Sequence, residues 1–411
     1  MKNKVLLSGA VILIALLLSA GCVGSADTGQ SQSSADSGYR TVVDMRGKEV
    51  QIPIHIERVV TIDDGLVEGV MTFLGESDKI VGLGSSSLQR THEYTFPSIS
   101  SEDYTYKNGM NTVRYLNPGF ADLTLVQESS AGINYETLAS LDPDVVIIRR
   151  GSCVASWGLN DEGLNKNIDI IEKLGLPTVV VNAPPCYSDP DLSTISEEIR
   201  IIGQIFGKEK VAEETAAYID RCVTMIKGRT SNVPESEKPR LLALGLSPTS
   251  RNAGGAGNVR GATIAYYIEE IANAANAYTV ARYDSDTGLV NTEQVLALDP
   301  DVVILPTSSG YHPPSELYSA PYYQNLQELT AVKNRHVYAL PWTPSNCDAS
   351  RLEYPIDIMI IAKAAYPDRF DDIKVNEWVL EYYQNVYRVD EATAKELRSV
   401  QWLDWMVEEN F

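Results

Sequence analysis

A fifteen-residue segment occurs twice in this chain. Residues 134–148 read NYETLASLDPDVVII and residues 291–305 read NTEQVLALDPDVVIL, identical at nine positions with a constant offset of 157 residues. Each copy couples a helical turn to a buried apolar strand, so the repeat implies two similar halves. Midway between the copies lies Lys208–Arg229, KEKVAEETAAYIDRCVTMIKGR, whose Val211, Thr215, Tyr218, Cys222 and Met225/Ile226 fall on one helix face. Gly207 closes the preceding helical run, and Gly228 with Pro234 beyond it predicts the end of this one. Such a rod spans roughly 30 Å, the width of a small domain. Two kindred lobes joined by one stiff helix is the simplest arrangement that fits.

The N-terminus, MKNKVLLSGAVILIALLLSAGC, has Lys2 and Lys4, an apolar run Val5–Leu18 and small residues before Cys22. The run is short for a bilayer span and has the three-part build of a secretory signal. Cys22 after Ser-Ala-Gly resembles a lipoprotein signal, in which the cysteine is lipidated; Ser19 stands where leucine is usual. An uncleaved anchor or ordinary secretion is the plain alternative. Val23–Gly38, rich in Ser and Gly, reads as a flexible tether of roughly 20–25 Å. The expected division is a signal over 1–22, a tether over 23–38, an N-terminal lobe over 39–190, connecting helices over 191–229 including the spine 208–229, and a C-terminal lobe over 230–411.

Within the lobes, TVVDMRGKEVQIP predicts an antiparallel lead-in. Short apolar strands at 58–62, 79–83, 144–148 and 178–181 then alternate with helices at 66–74, 134–141 and 167–174. The alternation resumes at 240–244, 261–274, 292–298, 301–305, 322–326 and 337–340. This predicts an α/β fold with mainly parallel sheets, followed by a helical, aromatic-rich C-terminus whose Trp378, Tyr382, Tyr383, Tyr387, Trp402 and Trp405 are expected in the core or between lobes. In parallel sheets ligands sit beyond the carboxyl ends of the strands, so the loops there should face a cleft. The formal charge is −21, and −23 once Lys2 and Lys4 leave with the signal. That argues against nucleic acid or anionic lipid as partner and suits an extracellular protein or one docking on a basic surface.

ERVVTID…VMTFLGESDKIVGLG, the paired LDPD segments and YPIDIMIIAKAAYPDRF together resemble the iron–siderophore and cobalamin substrate-binding lipoproteins of ABC importers, across residues 40–390. The resemblance implies the class III periplasmic-binding-protein fold: two Rossmann-like lobes joined by one long helix. It also implies a monomer anchored by a lipidated Cys22 to the outer face of the cytoplasmic membrane, delivering a small-molecule metal chelate to a permease and its ATPase. In that family one exposed glutamate per lobe meets permease arginines, and by motif these are Glu136 and Glu293. Independently, the two occupy equivalent places in the repeat, so a rigid rod would hold their carboxylates a fixed distance apart for two arginine pockets. The bland alternative is that both merely cap their helices, since each follows an Asn at capping distance.

For the cleft the loops offer Arg90, Arg150, Trp157, Tyr187, Arg251, Arg260, Tyr311 and Trp342, arginines to clamp anionic groups and rings to face a macrocycle or catechol. NAGGAGNVRG lacks the dinucleotide spacing and is expected to be a flexible or close-approach loop at the cleft mouth. His55, His92, His312 and His336 show no metal-ligand spacing, so no metal site is expected, although His92 or His312 on a cleft loop would suit an axial position on a corrinoid or haem. Among Cys153, Cys186, Cys222 and Cys347 the expected bridge, if one forms, is Cys153–Cys186, with Cys222 a buried thiol on the rod. No G-x-S-x-G or HExxH motif occurs. The expectation is a binding protein without a cofactor, not an enzyme, capturing a ferric-siderophore-type chelate. Cobalamin, haem or an oxyanion in the same fold, or a two-lobed enzyme acting on a tetrapyrrole, are the alternatives. The rod should keep lobe closure small.

Overall fold

Each copy of the repeat builds the same unit: a short capped helix, a left-handed aspartate and a buried strand. The computed structural model describes residues 38–411 except 101, 129–131, 157–160, 188–190, 260–261, 279–287, 307–312 and 343–350. The signal, Cys22 and most of the tether therefore lie outside the described residues. Asn134 accepts a hydrogen bond from the Thr137 backbone N–H at 3.0 Å and Asn291 from that of Gln294 at 2.9 Å, capping the helices Tyr135–Ser140 and Thr292–Leu298. Asp142 and Asp299, each before a proline, take φ of +44° and +34°, a region open to aspartate and closed to most bulky side chains. The next aspartates tie down the first strand of each half. Asp144 Oδ2 accepts from the N–H groups of Glu57 and Arg58 at 2.8 and 2.9 Å, and Asp301 Oδ2 from that of Arg240 at 2.8 Å.

The antiparallel lead-in pairs β1 (Tyr39–Val43) with β2 (Glu49–Pro53). The first half continues with β3 (Val59–Ile62), β4 (Ile80–Leu83), a hairpin of β5 (His92–Phe96) and β6 (Tyr104–Gly109), and β7 (Thr124–Leu125). The small pair β8 (Gln127–Glu128) and β9 (Gly132–Ile133) follows, then β10 (Val145–Arg150) and β11 (Thr178–Asn182). Its sheet runs β11-β10-β3-β4-β7 and is parallel throughout. The second half contributes β12 (Arg240–Gly245), β13 (Gly257–Val259), β14 (Ala275–Asn276), β15 (Gly288–Val290), β16 (Val302–Leu305) and β17 (Val337–Ala339). Here β14, β12, β16 and β17 are parallel, while β13 and β15 add an antiparallel edge in the order β15-β13-β12-β16-β17. The α/β fold with two separate, mainly parallel sheets is thus present. Part of the glycine-rich segment expected as a flexible or close-approach loop is strand β13. Gly257 abuts Leu244, whose side chain a Cβ there would meet at 2.8 Å, so only glycine permits that approach.

The spine helix runs Glu209–Thr230, passing through Gly228 rather than ending there. Its buried stripe is Ala212, Thr215, Ala216, Ile219, Cys222 and Ile226, with Val211, Tyr218 and Met225 only partly covered. The stripe is rotated from the expected one because alanines carry the contact. Gly203 on the helix Ser193–Phe206 lies so close that a Cβ would meet the Ala212 methyl at 2.4 Å. The segment expected as a helix over 261–274 is α-helical at Ala262–Tyr266 and widens into a π-turn at Tyr267–Ile271.

Two further connections join the halves, and the second, through the β5–β6 hairpin, is not expected from the sequence. The C-terminal helix Val375–Tyr387 packs on the spine and on the first-half helix Leu66–Leu74, and Glu391–Val400 packs on Thr112–Leu116 and β6. The expected role of the aromatics fits this path: Tyr382 and Tyr383 are fully buried, and Tyr218 of the spine sits 5.9 Å from Tyr382. The β5–β6 hairpin, which belongs to the first half by sequence, bonds to the second. Ile99 N–H donates to the Ser319 carbonyl at 2.9 Å, Met110 N–H to that of Val400 at 3.1 Å, and Trp402 Nε1 to that of Lys107 at 2.9 Å.

Candidate functional site

The carboxyl ends of β3 and β10 hold a buried ionic network. Asp63, Glu68, Arg149 and Glu198 are all fully buried, and Asp64 is nearly so. Arg149 Nε meets Glu198 Oε2 at 2.5 Å, its Nη2 meets Oε1 at 3.0 Å, and Asp63 Oδ1 lies 3.9 Å from its Nη1. Asp63 also caps the helix Leu66–Leu74 by accepting from Val67 N–H at 2.9 Å. Burial works against the Arg149 cation, and Glu198 with Asp63 outweighs it, so its pKa stands above the ordinary arginine value. Burial also pushes the Glu198 carboxyl up in spite of the arginine.

Glu68 is the outlier of that network. Burial first, then the Asp63 charge, raise its pKa to about 8 from an ordinary 4.5. Below the lower value both folded and unfolded chains hold the proton. Above it the unfolded chain ionises while the folded one does not until the upper value, so this side chain withdraws stability as pH rises between the two. Glu68→Gln is expected to stabilise the protein relative to wild type by a margin that grows from pH 5 to pH 8, by roughly 1–4 kcal/mol. Urea titrations at both pH values measure it, and a margin independent of pH counts against the assignment.

A second cluster forms where the hairpin reaches the other half. Glu316 Oε1 accepts from Tyr94 Oη at 2.8 Å, Tyr322 Oη at 2.6 Å and Arg251 Nη1 at 3.2 Å. The Arg251 guanidinium lies 4.2 Å from the Tyr322 ring centroid and also donates to Tyr323 Oη at 3.2 Å. Glu316 is fully buried, and one of its oxygens takes all three donors. Burial, reinforced by Glu316, raises the Tyr94 and Tyr322 hydroxyls far above ordinary tyrosine, so both remain donors. Next to it, Trp342 and Trp402 meet at 5.5 Å with Tyr94 and Tyr106 packed against them, and His92 touches Trp342 at 4.8 Å.

The sequence-derived site residues separate accordingly. Arg251 lies in this cluster. Trp342 is 3 % exposed and buried among aromatics, so it offers no open face to a ligand. Arg150 pairs with the exposed Asp161 at 3.3 Å, Tyr187 lies on the surface at 36 % exposure, and Arg90 is exposed. Trp157, Arg260 and Tyr311 fall outside the described residues, as do His312 and Cys347. Burial and nearby Arg90 hold the His92 pKa down, yet its Nε2 is sealed from solvent, which does not suit an axial ligand. Cys186 is a free thiol, so the Cys153–Cys186 bridge is not formed. Its Sγ packs against Gly151 instead, 2.9 Å from where a Cβ would stand. Cys222 is buried and free, as expected. No three His, Cys, Asp or Glu among the described residues are placed to hold a metal ion.

Sequence reasoning passed over Tyr94, Tyr106, Glu316 and Tyr322. The signal for the first two was present: THEYTF and YTYKNG alternate polar and aromatic residues at the period of a strand. Glu316 gave none, since an isolated glutamate in a helix reads as a solvated one.

Glu136 and Glu293 are both exposed, and neither side chain bonds to any described residue. The caps are supplied by the neighbouring asparagines. A depression lined by Arg40, Thr41, Ile54, Gln204 and Glu209 lies beside the lead-in hairpin, away from the strand ends, and has no part in this site.

Comparison with known proteins agrees with the architecture. The molybdate-binding protein MolA of Haemophilus influenzae is 24 % identical over 85 % of this chain and 91 % of its own length. The Fe(3+)-citrate-binding protein YfmC of Bacillus subtilis is 23 % identical over 82 % of this chain and 89 % of its own. A periplasmic solute-binding protein of Veillonella parvula superposes with a TM-score of 0.65 at 22 % identity, covering 91 % of this chain and all of that one. Residues 73–343 match the family described as periplasmic binding protein. With its two α/β lobes and spine helix, the chain belongs to the periplasmic binding protein family.

Proposed function

We propose that this protein is the extracytoplasmic substrate-binding component of an ABC importer, holding an iron-siderophore-type chelate between lobes 39–190 and 230–411 and handing it to the permease and its ATPase. The observation that carries the reading is the cluster in which Tyr94 of the first lobe meets Glu316, Arg251 and Tyr322 of the second. Side chains from both halves converge there, beyond strand ends, with aromatic faces and directed donors. Two relatives named for molybdate and ferric citrate support capture of a metal-containing small molecule. In this reading Cys22 carries the lipid anchor, 23–38 is the tether, the protein acts as a monomer, and no reaction is catalysed. Arg90, Arg150 and Arg251, with Tyr187 and the undescribed Trp157, Arg260 and Tyr311, remain the candidate contacts.

A thermal-shift panel of ferric siderophores, ferric citrate, corrinoids, haem and oxyanions tests it. A ligand that binds only the native state at about 100 times its Kd adds about 2.7 kcal/mol of stability. A ferric siderophore is expected to give the largest shift, without turnover. A shift with none of these classes, or chemical conversion of the one that binds, would sink the proposal.

A further inference from the structure

Among the described residues β5 and β6 form a sheet of two strands. Such a ribbon is marginal by itself and depends on what its inner face rests on. Strand alternation turns Tyr94, Phe96 and Tyr106 inward and leaves Glu93, Thr95 and Thr105 exposed. The inner face lies along the second-lobe helix Pro314–Ser319. Tyr106 Oη is 3.2 Å from Ser315 Oγ, Tyr94 Oη donates to Glu316 Oε1 at 2.8 Å, and near the turn Ile99 N–H donates to the Ser319 carbonyl at 2.9 Å.

The base of the ribbon is fixed more firmly. A Cβ on Gly109 would meet the Trp402 ring at 2.5 Å, Trp402 Nε1 donates to the Lys107 carbonyl at 2.9 Å, and Met110 N–H donates to that of Val400 at 3.1 Å. Toward the turn, Ile99 and Tyr104 are 57 % and 38 % exposed. The ribbon leaves the first lobe after β4, at the carboxyl end of that sheet, and lies on a helix that follows β16 in the second. It therefore crosses the gap where a ligand of a parallel sheet would sit. While Tyr94 rests on the Glu316 cluster, Glu316 is sealed and the Arg251 side chain is 20 % exposed. The spine and the helix Val375–Tyr387 tie the lobes together, so the ribbon is the element that can give way without parting them.

We infer that the β5–β6 hairpin is a strap that lifts from the helix Pro314–Ser319 to admit the cargo and lies down again over it, turning about its base at His92 and Gly109 while both lobes keep their places. This rests on the chelate-binding reading above and deepens it. Movement of the strap, rather than of the lobes, controls entry and escape.

Pinning the strap tests its role. Ile99→Cys with Ser319→Cys puts thiols on residues already joined by a backbone bond, close enough for a disulfide. The pair is made in the full chain with Cys153, Cys186 and Cys347 replaced by serine. Ferrichrome and ferric enterobactin serve as hydroxamate and catecholate probes, and stopped-flow tryptophan fluorescence reads association and dissociation. The oxidised protein is expected to take up and release a probe at least ~10-fold more slowly than the same protein after reduction, because both directions pass through the raised strap. Equal rates in the two redox states overturn the inference and leave the importer reading standing.

A second measurement needs neither a disulfide nor a ligand. In native-state hydrogen exchange of the unliganded wild-type protein, the Ile99 amide, bonded to the second lobe, is expected to exchange at least ~10-fold faster than the Met110 amide at the base, once intrinsic rates are divided out. Equal protection of the two would mean that the strap opens no more readily than its base, and overturns the inference. Binding of neither probe to the reduced protein counts against the chelate reading alone, and the exchange comparison then decides whether the strap moves.

Discussion

Arg149→Met is expected to destabilise the protein by about 3–5 kcal/mol, the cost of leaving a buried carboxylate without its counter-charge. The arginine is fully buried and is the described cation in contact with Glu198 and Asp63. Asp63 in turn caps the helix that follows β3, so the loss would reach the start of Leu66–Leu74 as well as the end of β10. Burial already pushes Glu198 up with the arginine in place; without it the group must take a proton or drag water inside. The double variant Arg149→Met/Glu198→Leu separates charge from packing and should recover most of the loss, since removing both ends leaves no orphan charge. Equilibrium urea unfolding measures both. A single-variant cost below about 1 kcal/mol would mean that water or another group reaches Glu198.

Uptake is the second large effect. Glu136→Ala combined with Glu293→Ala should lower transport of the bound ligand into permease-containing vesicles by more than ~10-fold, while leaving ligand affinity unchanged. Both carboxylates are exposed at equivalent places in the repeat, and both helices are capped by asparagines that the substitutions leave intact. Each glutamate near a helix N-terminus is worth only about 0.3–1 kcal/mol to its own helix, so folding should survive. What disappears is a pair of charges fixed relative to each other by the spine helix. Single substitutions should give intermediate rates. Loss of ligand affinity in the double variant would refute docking as their role, and full transport would show that other residues meet the permease.

Several elements were legible because their signals are local. Helix Leu66–Leu74, helix Thr292–Leu298 and the strands around each LDPD segment follow from apolar periodicity and short-range capping. The repeat fixed the equivalence of Glu136 and Glu293 for the same reason, since Asn134 and Asn291 act within three residues. The spine's length was readable to within one residue at each end, but its buried face was not. A stripe of alanines looks neutral in sequence and becomes a packing face only because Gly203 lets the neighbouring helix approach.

The candidate site is less legible in the sequence. Arg251, expected in the cleft, lies in the Glu316 cluster, but Trp342, expected there too, is buried among aromatics, and the sulfur of Cys186 packs on Gly151 instead of forming a bridge. Residues such as Glu316 and Tyr94, which lie 222 positions apart, carry no joint signature in one chain. By itself the sequence determined the two-lobed α/β architecture, the rod and the paired glutamates, because patterning, caps and turns act over a few residues and are repeated. Only the tertiary structure decided that the hairpin crosses to the other lobe and that Arg149, Arg150 and Arg251 are already answered by carboxylates. Both depend on which distant side chains meet in a water-poor space, and there burial and charge pairing outweigh anything that residue type or spacing can express.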